Sequence, residues 1–493
     1  MLMEETLMKH GIVDGWPVVS GHEQEIARAL AEGGPFYAPA TGVSVRDVKA
    51  AFGLALHMHQ PIVPEGRPDG ADLQVADLVS YLDYMMQHQW LGDNHNAPVF
   101  EWCYRRMAHM IPELVDAGKQ PRAMLDYSGD LLWGLAKMGD GGVLEDLGRI
   151  TNDPRYWPYV EWLGTFWSHP VAPSTPASDL RLHIRAWQEH FAAIFGLRAL
   201  SRVRGFSLPE MSLPNNPDQC YEVVKALKEC GYRWVMVQEH TIENLDGSGV
   251  KRPHLPHMLI ARNSHGDEAG IVALVKTQGS DTKLVAQLQP FYEARSLSGW
   301  QELGGTQIPP YVVQIGDGEN GGVMMNEFPP KYKSVFGQEI EGSGIVSLNG
   351  TEYLEILDQL GCGQDQFIPV QPVWQHRIWT KVGSNPTPEA VALAMEESKR
   401  EESRFHMDED GGNWTQNLSW TKGYEHELSE IENVSALFHR KFQTPLPESD
   451  QYRRALIHLM LCETSCFRYW GQGTFTEYAR ELVRRTRDIL GEL

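Results

Sequence analysis

Basic residues and cysteine are both scarce in this chain of 493 residues, and each scarcity excludes something. Lys and Arg total 43 against 65 Asp and Glu, a formal charge of −22 at pH 7. A surface that acidic repels a phosphate backbone and an anionic lipid face, so neither nucleic acid nor a membrane is an expected partner. The six cysteines (Cys103, Cys220, Cys230, Cys362, Cys462 and Cys466) nowhere take the C-x-x-C spacing of a zinc site and read as reduced core thiols. No apolar run approaches the roughly 18 residues of a membrane span. The start, Met1-Leu2-Met3-Glu4-Glu5, places acids where a secretory leader needs basic and then apolar residues, so the expected location is cytoplasmic.

Aromatics, by contrast, are plentiful: 15 Trp, 17 Tyr and 16 Phe. Flat rings pack cores, and they also suit the apolar faces of sugar rings.

Short apolar runs recur along the chain. Phe52 to Leu56, Arg122 to Tyr127, Arg202 to Leu208, Arg233 to Gln238, Ile271 to Lys276 and Tyr311 to Ile315 are too short for helices and are separated by helical or irregular stretches. That alternation predicts an α/β fold around a parallel sheet or barrel. Residues 1–50 read as a helical preamble with an amphipathic stretch at Glu23 to Ala31. Residues 51–383 read as the barrel with insertions, and residues 384–493 as a helical domain that contributes to the substrate cleft. In that last part Thr387-Pro388 predicts a helix start, Tyr452, Leu456, Leu459 and Met460 mark one helix face, and Thr474 with Glu477 forms a capping box ahead of Phe475, Tyr478, Leu482 and Ile489.

Three segments have the makings of chemistry. In His57-Met58-His59-Gln60-Pro61, at the end of the first strand, residues i and i+2 share a face, which aims both imidazoles at one place. In Gly205-Phe206-Ser207-Leu208-Pro209-Glu210 an apolar strand ends in a carboxylate held by prolines, a suitable nucleophile or general base. In Tyr311 to Gly322 a buried strand empties into Asp317-Gly318-Glu319, where a strand-end carboxyl beside apolar residues can keep its proton. The spacing there fits neither an EF-hand nor a phosphate loop. Glu210 and Asp317 on two strand ends of one parallel barrel would meet at its C-terminal face, and paired carboxylates are what glycoside hydrolysis requires.

Taken in order, the His-Gln-Pro, Pro-Glu and Asp-Gly-Glu segments resemble glycoside hydrolase family 57. The resemblance implies an incomplete (β/α)7 barrel with a helical C-terminal region, a retaining mechanism, no metal and no cofactor, and an α-glucan or maltooligosaccharide as substrate. It makes Glu210 the nucleophile and Asp317 the acid/base, with His57, His59, Gln60 and Glu319 around the reacting sugar. Two positions depart from the family pattern: Ser207 replaces a tryptophan, and Cys466 stands where an acid is expected. Trp414, flanked by amides in the Gly411 to Asn417 loop, is the expected sugar-stacking residue. Hydrolysis of α-1,4-glucan is the first reading. A 4-α-glucanotransferase or branching enzyme would use the same pair. Outside that class stand a metal-dependent carbohydrate deacetylase built on His57, His59 and Asp126, and a non-catalytic glucan-binding protein. Oligomeric state is left open.

Overall fold

The structure, a computed structural model, describes residues 11–46, 48–66, 72–139, 141–277, 281–319, 321–401, 422–443, 449–469 and 473–491. At its centre stand seven strands: β1 (Ala50–Met58), β2 (Ala123–Tyr127), β3 (Val160–Gly164), β4 (Gly205–Ser207), β5 (Trp234–Gln238), β6 (Glu268–Lys276) and β7 (Tyr311–Asp317). Each pairs in parallel with the next, and β7 returns to β1, so the strands close into a ring. This is the expected barrel of seven strands wrapped by helices. Buried on both faces, such strands read as near-continuous apolar runs, which is why six of them are visible in the sequence.

The seventh, β3, escapes that reading because its second residue is a charge. Glu161 is nonetheless fully buried, since it accepts hydrogen bonds from the Thr351 backbone N–H at 2.9 Å and from the Thr351 hydroxyl. Four further strands widen the sheet outside the ring: Ile242–Asn244, His257–Arg262 and Ile368–Pro372 on the β6 side, and Ile345–Ser347 beside β1.

The ring is filled by alternate residues of its strands. Ala51 and Ala55 of β1 meet Met124, Leu163, Trp234, Met236, Leu274 and Ile315 in one core cluster. The small residues of the ring make room for the large ones: a Cβ on Gly205 would stand 2.2 Å from the Trp234 ring. Two residues further along, the same inward stripe turns polar. Ala55 is followed by His57, Met124 by Asp126, Met236 by Gln238, Leu274 by Lys276 and Ile315 by Asp317. The strands end together at this level, with His57 in register with both Asp126 and Asp317, and Lys276 in register with Gln238.

The C-terminal part is helical among the described residues. A helix spans Pro388–Glu401, with Thr387 Oγ1 accepting from the Ala390 N–H at 3.2 Å. Helix α1 (Ala177–Phe195) follows β3, and α2 (Glu425–Lys441), α3 (Asp450–Cys462) and α4 (Thr474–Leu490) form a packed group in the C-terminal part. The capping box expected at Thr474 does not form: Gly473 is the cap, and Glu477 pairs with Arg480 instead. At the other end, the described N-terminal residues add a small hairpin, Ile12–Val13 with Trp16–Pro17, to the amphipathic helix Glu23–Leu30. Among the described residues no helix is long and apolar enough to cross a membrane.

Candidate active site at the barrel mouth

Above the polar layer opens a cavity of about 760 Å³ lined by His57, His59, Gln60, His169, Glu210, Asp317, Glu319, Ser465 and Cys466 among others. A second, small cavity of about 50 Å³ shares His57, Glu210 and Asp317 with it and adds Ser207, Met211 and Lys276. Six of the seven expected site residues thus border one space. The seventh, Trp414, lies outside the described residues.

Glu210 sits in a turn, Pro209–Met211, that follows β4 directly. Its φ of 56° and that of Met211, 50°, are both left-handed. Non-glycine residues avoid that region, and such strain persists only where packing imposes it, commonly at functional sites. Across the cavity Asp317 opens onto the pocket, yet the surrounding protein takes enough water from it to raise its pKa, against the opposing charge of His57 and His59. Glu319, two residues on, is also raised, first by burial and then by the Asp317 charge, with His57 opposing. Its Oε1 accepts the His59 backbone N–H at 3.1 Å. Gly318 between them is needed for closeness: a Cβ there would lie 2.1 Å from Met58 Cε.

Burial alone would strip the proton from His57, but Asp126, Asp317 and Glu319 outweigh it and raise the pKa to about 10. Its Nδ1 donates to Asp126 Oδ2 at 2.8 Å, a contact that favours the imidazolium form. His59 is fastened differently, with Nδ1 2.8 Å from Ser128 Oγ and 3.3 Å from Asp130 Oδ1, and Nε2 3.1 Å from Cys466 Sγ. All four ring nitrogens therefore have side-chain partners, because His57 Nε2 lies 2.8 Å from His169 Nε2. His57, His59 and Asp126 do not converge as a metal-ligand set, and among the described residues no group of three or more His, Cys, Asp or Glu is placed to hold a metal ion.

Several site residues carry no assignment from the sequence. His169 belongs to the Ser168-His169-Pro170 segment after β3, and its ring stacks on His59 with centroids 4.1 Å apart and planes 10° from parallel. Burial, together with His59 and His57, holds its pKa well below the usual histidine range. Lys276 is buried beside Glu210 and Asp317, with its pKa lowered by burial to about 8. A lysine ending the apolar run from Ile271 is the signal for it. The aromatic wall consists of Tyr81, Tyr84, Phe100, Phe475 and Tyr478, the last two from α4. By contrast, the Trp374-Gln375-His376-Arg377 segment is tied into the fold, with Gln375 Nε2 donating to the Asn215 carbonyl and the His376 N–H to Glu243 Oε1.

Residues 53–276 match the family model of glycosyl hydrolase family 57. Among solved structures, a 4-α-glucanotransferase from Thermococcus litoralis is similar with a TM-score of 0.52 at 16% identity, over 90% of this chain and 60% of that one. An α-amylase from Thermotoga maritima is similar with a TM-score of 0.53 at 11% identity, over 90% and 94% of the two chains. This chain therefore spans 60% of the length of the glucanotransferase. At such identities the likeness is one of fold. No curated protein sequence matches the chain. The family 57 region covers β1 to β6 and includes Glu210, whereas Asp317, Ser465 and α4 lie beyond it.

Proposed function

We propose that the barrel mouth is the active site of a retaining glycoside hydrolase acting on α-1,4-glucans. The observation that carries the reading is that Glu210 and Asp317 line the same two cavities at the strand ends. Glu210, rigid in its left-handed turn, attacks the anomeric carbon, since a fixed carboxylate needs no reorganisation to reach it. Asp317, whose pKa is raised by desolvation, protonates the leaving oxygen and then takes a proton from the incoming water. The charged His57 and the His59, Gln60 and Glu319 side chains border the reacting sugar, and the tyrosine and phenylalanine wall offers faces for further rings. A sugar acceptor in place of water turns the same steps into transfer, the activity for which the Thermococcus protein is named. Sugar recognition and proton transfer here fall to side chains already in place, so no metal or cofactor enters the scheme.

The test is product analysis with maltoheptaose and soluble starch, following anomeric configuration by proton NMR. Shorter α-anomeric maltooligosaccharides, absent with Glu210→Gln, are the expected result, and longer products would show transfer. β-Anomeric products would overturn the retaining mechanism, and an inert, folded protein would overturn the α-glucan assignment.

A further inference from the structure

A row of polar side chains leaves the barrel and ends in the C-terminal helical part. Asp126 Oδ2 accepts from His57 Nδ1 at 2.8 Å, His57 Nε2 is 2.8 Å from His169 Nε2, and His169 Nδ1 is 2.8 Å from Ser465 Oγ. The four residues come from β2, β1, the loop after β3 and the segment after α3.

An imidazole nitrogen either donates or accepts, so a choice at one end of the row propagates to the other. Asp126 as a carboxylate can only accept, which puts a hydrogen on His57 Nδ1. The contact between the two Nε2 atoms then needs one hydrogen. If His57 holds it, His57 is charged, His169 Nε2 accepts, and His169 has its hydrogen on Nδ1, donated to Ser465 Oγ. If His169 holds it on Nε2, His57 is neutral, and His169 Nδ1 accepts from the Ser465 hydroxyl. Around His57 stand the carboxyls of Asp126, Asp317 and Glu319, with Glu210 in the same cavities, against the cationic Lys276 and the imidazoles of His59 and His169. His169 lines the same cavity as Glu210, Asp317 and Glu319, but among the described residues its ring touches His57, His59 and Ser465 directly, with the Cys466 thiol next to His59. The surroundings therefore favour charge on His57.

The hydroxyl is held to its partner from both sides. Thr464 forms an antiparallel bridge with Pro170, the Ser465 N–H donates to the His169 carbonyl at 3.1 Å, and Ser168 Oγ donates to the Met460 carbonyl. His169 itself has a left-handed φ of 63°, so its ring is presented by a constrained backbone.

We infer that Ser465 is a positioning residue: by accepting from His169 Nδ1 it keeps His169 Nε2 an acceptor, and so keeps a proton on His57 Nε2 at the mouth of the barrel. What that positive charge does for a sugar rests on the function proposed above, whereas the row itself does not.

The experiment uses the full chain at pH 7 with 15N-labelled histidine, and reads imidazole shifts by NMR in the unmutated protein, Ser465→Ala and Ser465→Thr. His169 neutral with its hydrogen on Nδ1 is expected in the unmutated protein. The Nε2 tautomer there would overturn the inference without any variant, which keeps it testable should Ser465→Ala not fold. In Ser465→Ala the hydrogen should move to Nε2, with kcat down about ten-fold, the equivalent of one lost buried hydrogen bond, and KM little changed. Ser465→Thr should restore both. An unchanged tautomer in Ser465→Ala, or a threonine that rescues neither readout, overturns it. If the unmutated protein shows the expected tautomer but turns over neither maltoheptaose nor starch, the row stands and the α-glucan reading falls. Turnover with the other tautomer defeats the row alone.

Discussion

The two ends of the barrel hold buried charges under opposite terms. At the N-terminal end Arg122, Glu352, Glu355 and Glu161 have a partner for every polar side-chain atom, although Arg204 Nε has none among the described residues. Arg122 donates Nε and Nη2 to the two oxygens of Glu352 at 2.8 and 2.9 Å. Glu355 accepts three successive backbone N–H groups, from Phe36, Tyr37 and Ala38, and Glu161 takes both donors of Thr351. At the C-terminal end Asp126 Oδ1, Asp130 Oδ2 and Glu319 Oε2 are buried with no hydrogen-bond partner among the described residues. An unmet polar atom costs free energy, so a fold tolerates several together where a ligand or a shared proton will use them. The N-terminal end is largely paired and the C-terminal end is left open, in line with the proposed active site there and with the division that parallel barrels follow generally.

Mutations should respect that division. Glu210→Gln, at the chemical end, should lower glucan turnover by about 10³-fold or more, roughly 4 kcal/mol, with little change in Tm; a comparable loss of Tm would make Glu210 a structural residue. Arg122→Ala, at the stable end, leaves the buried Glu352 carboxylate without its cation. It should cost about 3–5 kcal/mol in denaturant unfolding while the folded fraction keeps its kcat.

The third expectation uses pH. Burial raises the Glu161 pKa to about 8, with the Thr351 hydrogen bonds opposing. Because the folded form binds the proton more tightly than the unfolded one, its stabilisation is full below the ordinary carboxyl pKa and is lost as pH rises toward about 8. Glu161→Gln should flatten the decline in unfolding free energy between those limits by about 5 kcal/mol, and an unchanged slope would mean that Glu161 stays ionised in its bonds to Thr351. The smallest effect is expected at the aromatic wall, which belongs to neither set of charges. Phe475→Ala should raise KM for maltoheptaose about five-fold, near 1 kcal/mol, at constant kcat; no change in KM would remove α4 from the substrate path.

Much of this architecture is legible in the order of the residues. Six ring strands show as apolar runs because parallel strands buried on both faces have no polar side to display. The Glu210 and Asp317 motifs show because each couples a strand end to residues that constrain or free the backbone, Pro209 before Glu210 and the glycines around Asp317. Glu161 conceals β3, since only the partner Thr351, far along the chain, makes that carboxyl tolerable inside. Thr474 and Glu477 match a capping pattern that the chain does not use, because Gly473 caps the helix and Arg480 takes Glu477.

By itself, then, the sequence determined the strand periodicity, the paired carboxylate motifs and the helical character of the end of the chain, all properties of neighbouring residues. The tertiary structure alone decided that His57 stands level with Asp126 and Asp317, and that Ser465 reaches His169 from nearly 300 positions away. It also decided which carboxyls have a raised pKa. Proton affinity depends on desolvation and on charges within a few ångströms, and those distances exist only once the ring has closed.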